Sequence, residues 1–118
     1  MPKKILIIDD DPTMVKMVES FLAAHGYTVL SASGGEEGLE QIRAGRPDLI
    51  ILDIQMPAMN GYTFIFEFKK IPDTSAIPVI VLTAKDGMAE IFKVEGVKEY
   101  LTKPFQPEVL LAKIKKYL

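Results

Sequence analysis

The chain has 118 residues, 48% hydrophobic and 25% charged, with 14 Lys+Arg against 16 Asp+Glu and a formal net charge of −2, which fits one globular domain and excludes disordered and collagen-like classes. The absence of cysteine removes disulfides, thiolate metal sites and cysteine nucleophiles, and the lack of a basic excess disfavours direct nucleic-acid binding. The apolar run near the N-terminus is too short for a signal peptide, and no stretch has the length of a membrane span, so the cytoplasm is the expected compartment and no membrane contact is expected.

The first element is Ile5-Leu6-Ile7-Ile8, an apolar run without alternation that reads as a strand covered on both faces, followed directly by Asp9, Asp10 and Asp11. Asp11-Pro12 fits a helix N-cap with proline at the first helical position. The helix then carries Met14, Met17, Val18, Phe21 and Leu22 as a core stripe and closes at His25-Gly26. Tyr27 to Ala32 reads as a second strand, and Glu36 to Ala44 as a second helix ended by Gly45. Gly34-Gly35 lacks the lysine and spacing of a phosphate loop and reads as a turn. Leu49 to Leu52 repeats the opening pattern and also ends in acid, at Asp53. A turn-rich loop from Gln55 to Gly61 leads into a helix over Tyr62 to Lys70. Pro78 to Leu82 forms a fourth strand ending in Thr83-Ala84, a fourth helix covers Gly87 to Glu95, and a weaker fifth strand spans Glu99 to Thr102. After Lys103-Pro104-Phe105 the fifth helix runs from Pro107 to Leu118, with Leu110, Ile114, Tyr117 and Leu118 on one face. Strand and helix thus alternate five times, which implies an α/β fold, a parallel sheet with helices on both faces.

Ligands of open parallel sheets bind beyond the carboxyl ends of the strands. Those ends present Asp9 and Asp10, Asp53, Thr83 and Lys103. Carboxylates that converge need a cation, and an oxygen-only donor set without histidine or cysteine selects a hard ion, magnesium with manganese as substitute. Magnesium commonly recruits phosphate oxygen, for which a lysine and a threonine hydroxyl are suitable further contacts. Asp53 is then placed to attack phosphorus through a carboxylate oxygen and form an acyl phosphate. Each residue alone has a plainer explanation, such as a helix cap or a surface turn. Their joint occurrence in this order is what points to chemistry.

Through IIDDDP, LIILDIQMPAMNGYTF, IPVIVLTA and YLTKPF, the chain resembles the receiver domain of two-component response regulators, of the single-domain chemotaxis-protein type. The resemblance covers essentially the whole chain and implies a flavodoxin-like, doubly wound sheet of five strands in the order 2-1-3-4-5, forming one receiver domain over residues 1–118 without an output domain. It implies a regulatory phosphoacceptor, not an enzyme in its own right, with Asp53 taking a phosphoryl group from a sensor histidine kinase or phosphotransfer protein. Magnesium would be held by Asp10 directly, by Asp9 often through water, by Asp53 and by the backbone carbonyl of Gln55. Thr83 and Lys103 would contact the phosphoryl group, and the Lys103-Pro104 bond would be cis. Thr83 and Tyr100 would act as the switch, changing a face made of the fourth helix, fifth strand and fifth helix that binds a downstream protein, in a monomer or weak phosphorylation-dependent dimer. Gln55 and Lys85 stand where the family modulates phosphoryl lifetime.

Two features depart from the family pattern. The Thr83 to Lys103 spacing is shorter than usual, and Val97 stands where a smaller alanine commonly follows the glycine. An alternative with the same nucleophile, a haloacid-dehalogenase-like phosphohydrolase, calls for a second acid two residues after the first, and Asp53-Ile54-Gln55 lacks it. A flavodoxin-like nucleotide binder is opposed by acids that repel phosphate, and a non-phosphorylated interaction module by the complete acceptor set.

Overall fold

The computed structural model describes residues 2–54, 59, 61–83 and 97–118. Five strands, β1 (Lys4–Ile8), β2 (Thr28–Ala32), β3 (Leu49–Asp53), β4 (Val79–Thr83) and β5 (Val97–Thr102), form one parallel sheet in the order β2-β1-β3-β4-β5. Four helices are described, α1 (Pro12–Ala24), α2 (Gly35–Gly45), α3 (Gly61–Phe68) and α4 (Pro107–Tyr117). The last of these is the helix expected as the fifth. The helix expected over Gly87 to Glu95 lies outside the described residues.

The apolar runs are the three central strands. Ile5 to Ile8, Leu49 to Leu52 and Val79 to Leu82 are all buried, whereas the edge strands β2 and β5 are partly exposed. Successive strand residues point to opposite faces, and the core divides accordingly. Leu6, Ile8, Ile50 and Leu52 pack with Leu39 and Ile42 of α2 and Phe64, Ile65 and Phe68 of α3. Ile5, Ile7, Leu49 and Ile51 pack with Val18 and Leu22 of α1 and Leu110, Leu111 and Ile114 of α4. A continuous hydrophobic run is thus what two covered faces require.

Local signals set most boundaries. The Asp11 carboxylate accepts from the Thr13 and Met14 amides at 3.1 and 3.3 Å, capping α1 ahead of Pro12. Gly26 follows the other end at φ 93°, and its N–H bonds the Ala23 carbonyl while that of Tyr27 bonds Leu22, a Schellman closure. His25 sits on this end with Nδ1 2.9 Å from the Phe21 carbonyl. Three expectations need correction. Met17 is not core but 42% exposed; the apolar stripe of α1 is wider than the face the sheet covers. Gly45 does not end α2 but is its last helical residue, and Arg46 takes the left-handed cap at φ 41°. The fifth strand also begins earlier than its mixed composition suggests, at Val97, because pairing with β4 extends it across the register shift between Val79 and Ile80.

The edge strand β5 is tied to α4 by Glu99, whose carboxylate accepts from Tyr117 Oη at 2.8 Å, Lys113 Nζ at 3.1 Å and Lys116 Nζ at 3.3 Å. The Tyr117 hydroxyl has the largest effect and lowers the Glu99 carboxyl below its ordinary range; burial opposes it next, and the Lys113 and Lys116 ammonium groups add to the lowering. A depressed folded-state pKa contributes stability that is present above the ordinary carboxylate value and lost as pH falls through the folded one. Glu99→Gln should therefore cost no more than about 1 kcal/mol near neutral pH, with the deficit closing in acid. Urea unfolding midpoints of both proteins across that pH range check this; a deficit independent of pH would contradict it.

Candidate functional site

The carboxyl ends of the central strands bring the acids together. Asp9 follows β1, its amide donating to the Ala32 carbonyl at 3.1 Å, and Asp53 is the last residue of β3, in register with Leu82. Asp9 is 2% and Asp53 4% exposed, while Asp10 is exposed. One carboxylate oxygen from each of Asp9, Asp10 and Asp53 lies within 4.8 Å of the other two. Strand β2 sits at the sheet edge beyond β1, which explains why its Ser31–Ser33 end contributes no acid or cation.

The cation among these acids comes from the far end of the chain. Lys103 Nζ lies 2.8 Å from Asp9 Oδ2 and 3.4 Å from Asp53 Oδ2. Its backbone is fixed as well: Lys103 N donates to the Thr83 carbonyl at 2.7 Å, so the connection after β5 is fastened to the end of β4. The Lys103–Pro104 peptide is cis. Thr83, next to Leu82, is buried at 1% exposure, and Tyr100 on β5 is 40% exposed. Gln55 and Lys85 lie outside the described residues.

Asp9 is fully enclosed, and both its oxygens are engaged, Oδ2 by Lys103 and Oδ1 by the Asp11 amide at 3.0 Å. Asp11 thus does more than cap α1; its own N–H holds Asp9 in place. Burial raises the Asp9 pKa, with a smaller push from Asp53, and the bonds from Lys103 and Asp11 offset this only in part. Burial also works against charge on Lys103, but its bond and attraction to Asp9, together with Asp53, outweigh that and raise its pKa. Among the described residues, two buried carboxylates and one ammonium leave net negative charge at the site, with exposed Asp10 adding more. Oxygen donors alone, converging at this spacing with charge left uncompensated, fit a hard divalent cation such as magnesium.

Met17, which the helical period assigns to the core, lines a cleft beside this cluster with Asp11, Met14, Lys103, Pro104 and Phe105. The periodicity of α1 shows which residues share a face, but only the position of the β5–α4 connection shows that this part of the face borders the acids.

Removing the ammonium leaves the acids facing one another. Lys103→Met should destabilise the metal-free protein near neutral pH by about 2–3 kcal/mol. It raises the Asp9 pKa further, and a raised acid weakens the fold fully above its folded-state value, a penalty that shrinks as pH falls through that value and is gone below the ordinary one. The deficit against wild type should therefore shrink in acid, as followed by denaturant unfolding in chelator; a constant deficit would show that lost packing, not charge, is responsible.

Comparison with known proteins agrees with this arrangement. The family model described as the response regulator receiver domain matches residues 5–115. Protein PilH of Pseudomonas aeruginosa is 41% identical over 113 residues, covering 94% of this chain and 93% of that protein. The alkaline phosphatase synthesis transcriptional regulatory protein PhoP of Bacillus subtilis is 37% identical and matches all of this chain, which spans 49% of PhoP; several other relatives are likewise about twice as long. Among solved structures, the Vibrio cholerae chemotaxis protein CheY4 superposes with a TM-score of 0.93 at 32% identity over the whole of both chains. The Thermotoga maritima response regulator TrrA, determined in complex with Mg(2+)-BeF, superposes with a TM-score of 0.86 at 34% identity over 98% of this chain and 99% of that one. With its acids at the ends of β1 and β3 and the family model spanning nearly its full length, this chain belongs to the response regulator receiver domain family.

Proposed function

We propose that Asp53 is the phosphoacceptor of this receiver and that Asp9, Asp10 and Asp53, with the backbone carbonyl of Gln55, hold magnesium beside it. The observation that carries this reading is the convergence of three carboxylates at the strand ends, two of them, Asp9 and Asp53, paired with the Lys103 ammonium. Asp53 supplies a carboxylate oxygen that bonds to phosphorus as the bond from phosphorus to the donor breaks, the leaving group keeping the electron pair. For a kinase or phosphotransfer protein the leaving group is the imidazole of a phosphohistidine; for acetyl phosphate it is acetate. The strand β3 ladder fixes the backbone of Asp53, which anchors the nucleophile before attack. Lys103, 3.4 Å from Asp53 Oδ2, is within reach of oxygens on a group attached there, and the Thr83 hydroxyl at the end of β4 is proposed as a second donor. When bound, magnesium would neutralise acid charge and charge on the transferring group.

Residues 5–115 act on this reading as one receiver unit in the cytoplasm, catalysing nothing beyond their own phosphorylation and dephosphorylation. Thr83 and Tyr100 are proposed to relay occupancy to the face of β5 and α4, where a downstream protein would bind. The support is the ladder itself: Thr83 and Tyr100 stand on adjacent paired strands, and Lys103 is bonded to the Thr83 backbone. Reversing a 1:99 population of the two packings would take about 5.5 kcal/mol of differential stabilisation.

Incubation with acetyl phosphate and magnesium should give a base-labile phosphoryl adduct by intact mass, absent in Asp53→Asn and in chelator. Asp10→Ala should lose magnesium dependence and phosphorylation together. An adduct that persists in Asp53→Asn would move the acceptor elsewhere, and sustained turnover of a phosphate ester would indicate a hydrolase.

A further inference from the structure

A helix start leaves four amide positions without a partner inside the helix, and in α1 these are residues 11 to 14. Pro12 has no N–H. The Thr13 and Met14 amides donate to Asp11 Oδ1 at 3.1 and 3.3 Å. The remaining donor is the amide of Asp11 itself, and it goes to Asp9 Oδ1 at 3.0 Å. The turn after β1 therefore satisfies the whole helix start with two of its own carboxylates, and one of them, buried Asp9, belongs to the acid cluster.

This sharing ties the acids to the helix. Asp11 has φ −93° and ψ 103°, the extended conformation from which a short side chain reaches the second and third amides of its own helix. Loss of the cap releases that conformation and with it the direction of the Asp11 N–H. Asp9 then keeps the Lys103 ammonium on Oδ2 but loses the fixed donor on Oδ1. Asp10 stands between the two, so the same turn sets where its exposed carboxylate lies relative to Asp9 and Asp53. We infer that Asp11 is a positioning residue for the divalent-cation site: by capping α1, its side chain aims its own amide at Asp9 and fixes the turn that carries Asp10. This rests on the reading of Asp9, Asp10 and Asp53 as metal ligands. The part played by Asp11 comes from a short capping oxygen, not from its charge.

Three substitutions separate capping from charge. Asp11→Asn keeps a capping oxygen without charge, Asp11→Glu keeps charge on a side chain one methylene too long to cap, and Asp11→Ala keeps neither. In magnesium titrations by calorimetry without phosphodonor, Asp11→Ala and Asp11→Glu should bind about tenfold more weakly than wild type, the lower end of what loss of a supporting contact costs a metal site. Asp11→Asn should stay within about twofold of wild type, as the two residues cap equally well. Without metal, hydrogen exchange at the residue 11 amide should accelerate in Asp11→Ala and Asp11→Glu but not in Asp11→Asn, beyond any change at the β1 amides, which follow global stability. Affinity lost equally in Asp11→Asn and Asp11→Ala would assign the effect to charge and overturn the inference. Unchanged affinity in Asp11→Ala and Asp11→Glu, whatever their unfolding midpoints, would show a merely structural cap and overturn it as well. If Asp11→Ala alone unfolds, the Asn and Glu variants decide between the same outcomes. Failure of wild type to bind magnesium would overturn the ligand reading itself, a result distinct from the exchange measurement, which uses no metal.

Discussion

The repulsion among carboxylates at the ends of β1 and β3 is the constraint around which this molecule is organised. Asp9 and Asp53 are almost fully withdrawn from water, where like charges interact most strongly and solvation is lost. Among the described residues the fold answers with one ammonium, that of Lys103, 2.8 Å from one acid and 3.4 Å from the other. Within that set, one positive charge against two buried acids and a third at the surface leaves the site short of cation. That deficit fits the site to a hard divalent cation.

Holding such a cluster requires a rigid frame, and the sheet supplies it. The three central strands are buried on both faces, so the residues at their ends are fixed by the ladders beneath them. The attachment of Lys103 to the Thr83 carbonyl extends the same frame to the edge strand, and β5 is fastened in turn to α4 through Glu99, Lys113, Lys116 and Tyr117. A path of direct contacts therefore runs from the acids to the face of β5 and α4. It offers a physical route by which occupancy of the site could bias that surface, since packed elements shift between discrete arrangements more readily than they deform.

The connections between strand and helix divide the remaining work. The turn after β1 caps α1 with the Asp11 side chain and steadies Asp9 with the Asp11 amide. The turn after β2 leaves room for packing, since Gly35 sits against the Met59 side chain. Such a role has no chemical signature in the residue itself. A glycine at the start of a helix is most simply read as part of a flexible turn, and only its neighbour shows what the missing Cβ permits.

The sequence by itself determined the fold class, nearly all element positions and the identity of the clustered residues. Unbroken apolar runs specify doubly covered strands, and Asp11-Pro12 and His25-Gly26 specify where α1 starts and stops, because these are local effects of backbone geometry and hydrogen bonding. The motifs around Asp9, Asp53, Thr83 and Lys103 were legible for the same reason: each ends a strand or directly follows one, and parallel strands present their ends on one side. The tertiary structure alone decided which groups touch. That Lys103 bonds Asp9 at closer range than Asp53, that Asp9 is enclosed with both oxygens engaged, that Met17 borders a cleft outside the core and that Met59 rests on Gly35 all depend on segments distant in the chain. Asp9 and Lys103 are 94 residues apart. Periodicity and capping act over a few residues, whereas the spacing between side chains on different strands is fixed by sheet register and helix packing, which no local pattern encodes.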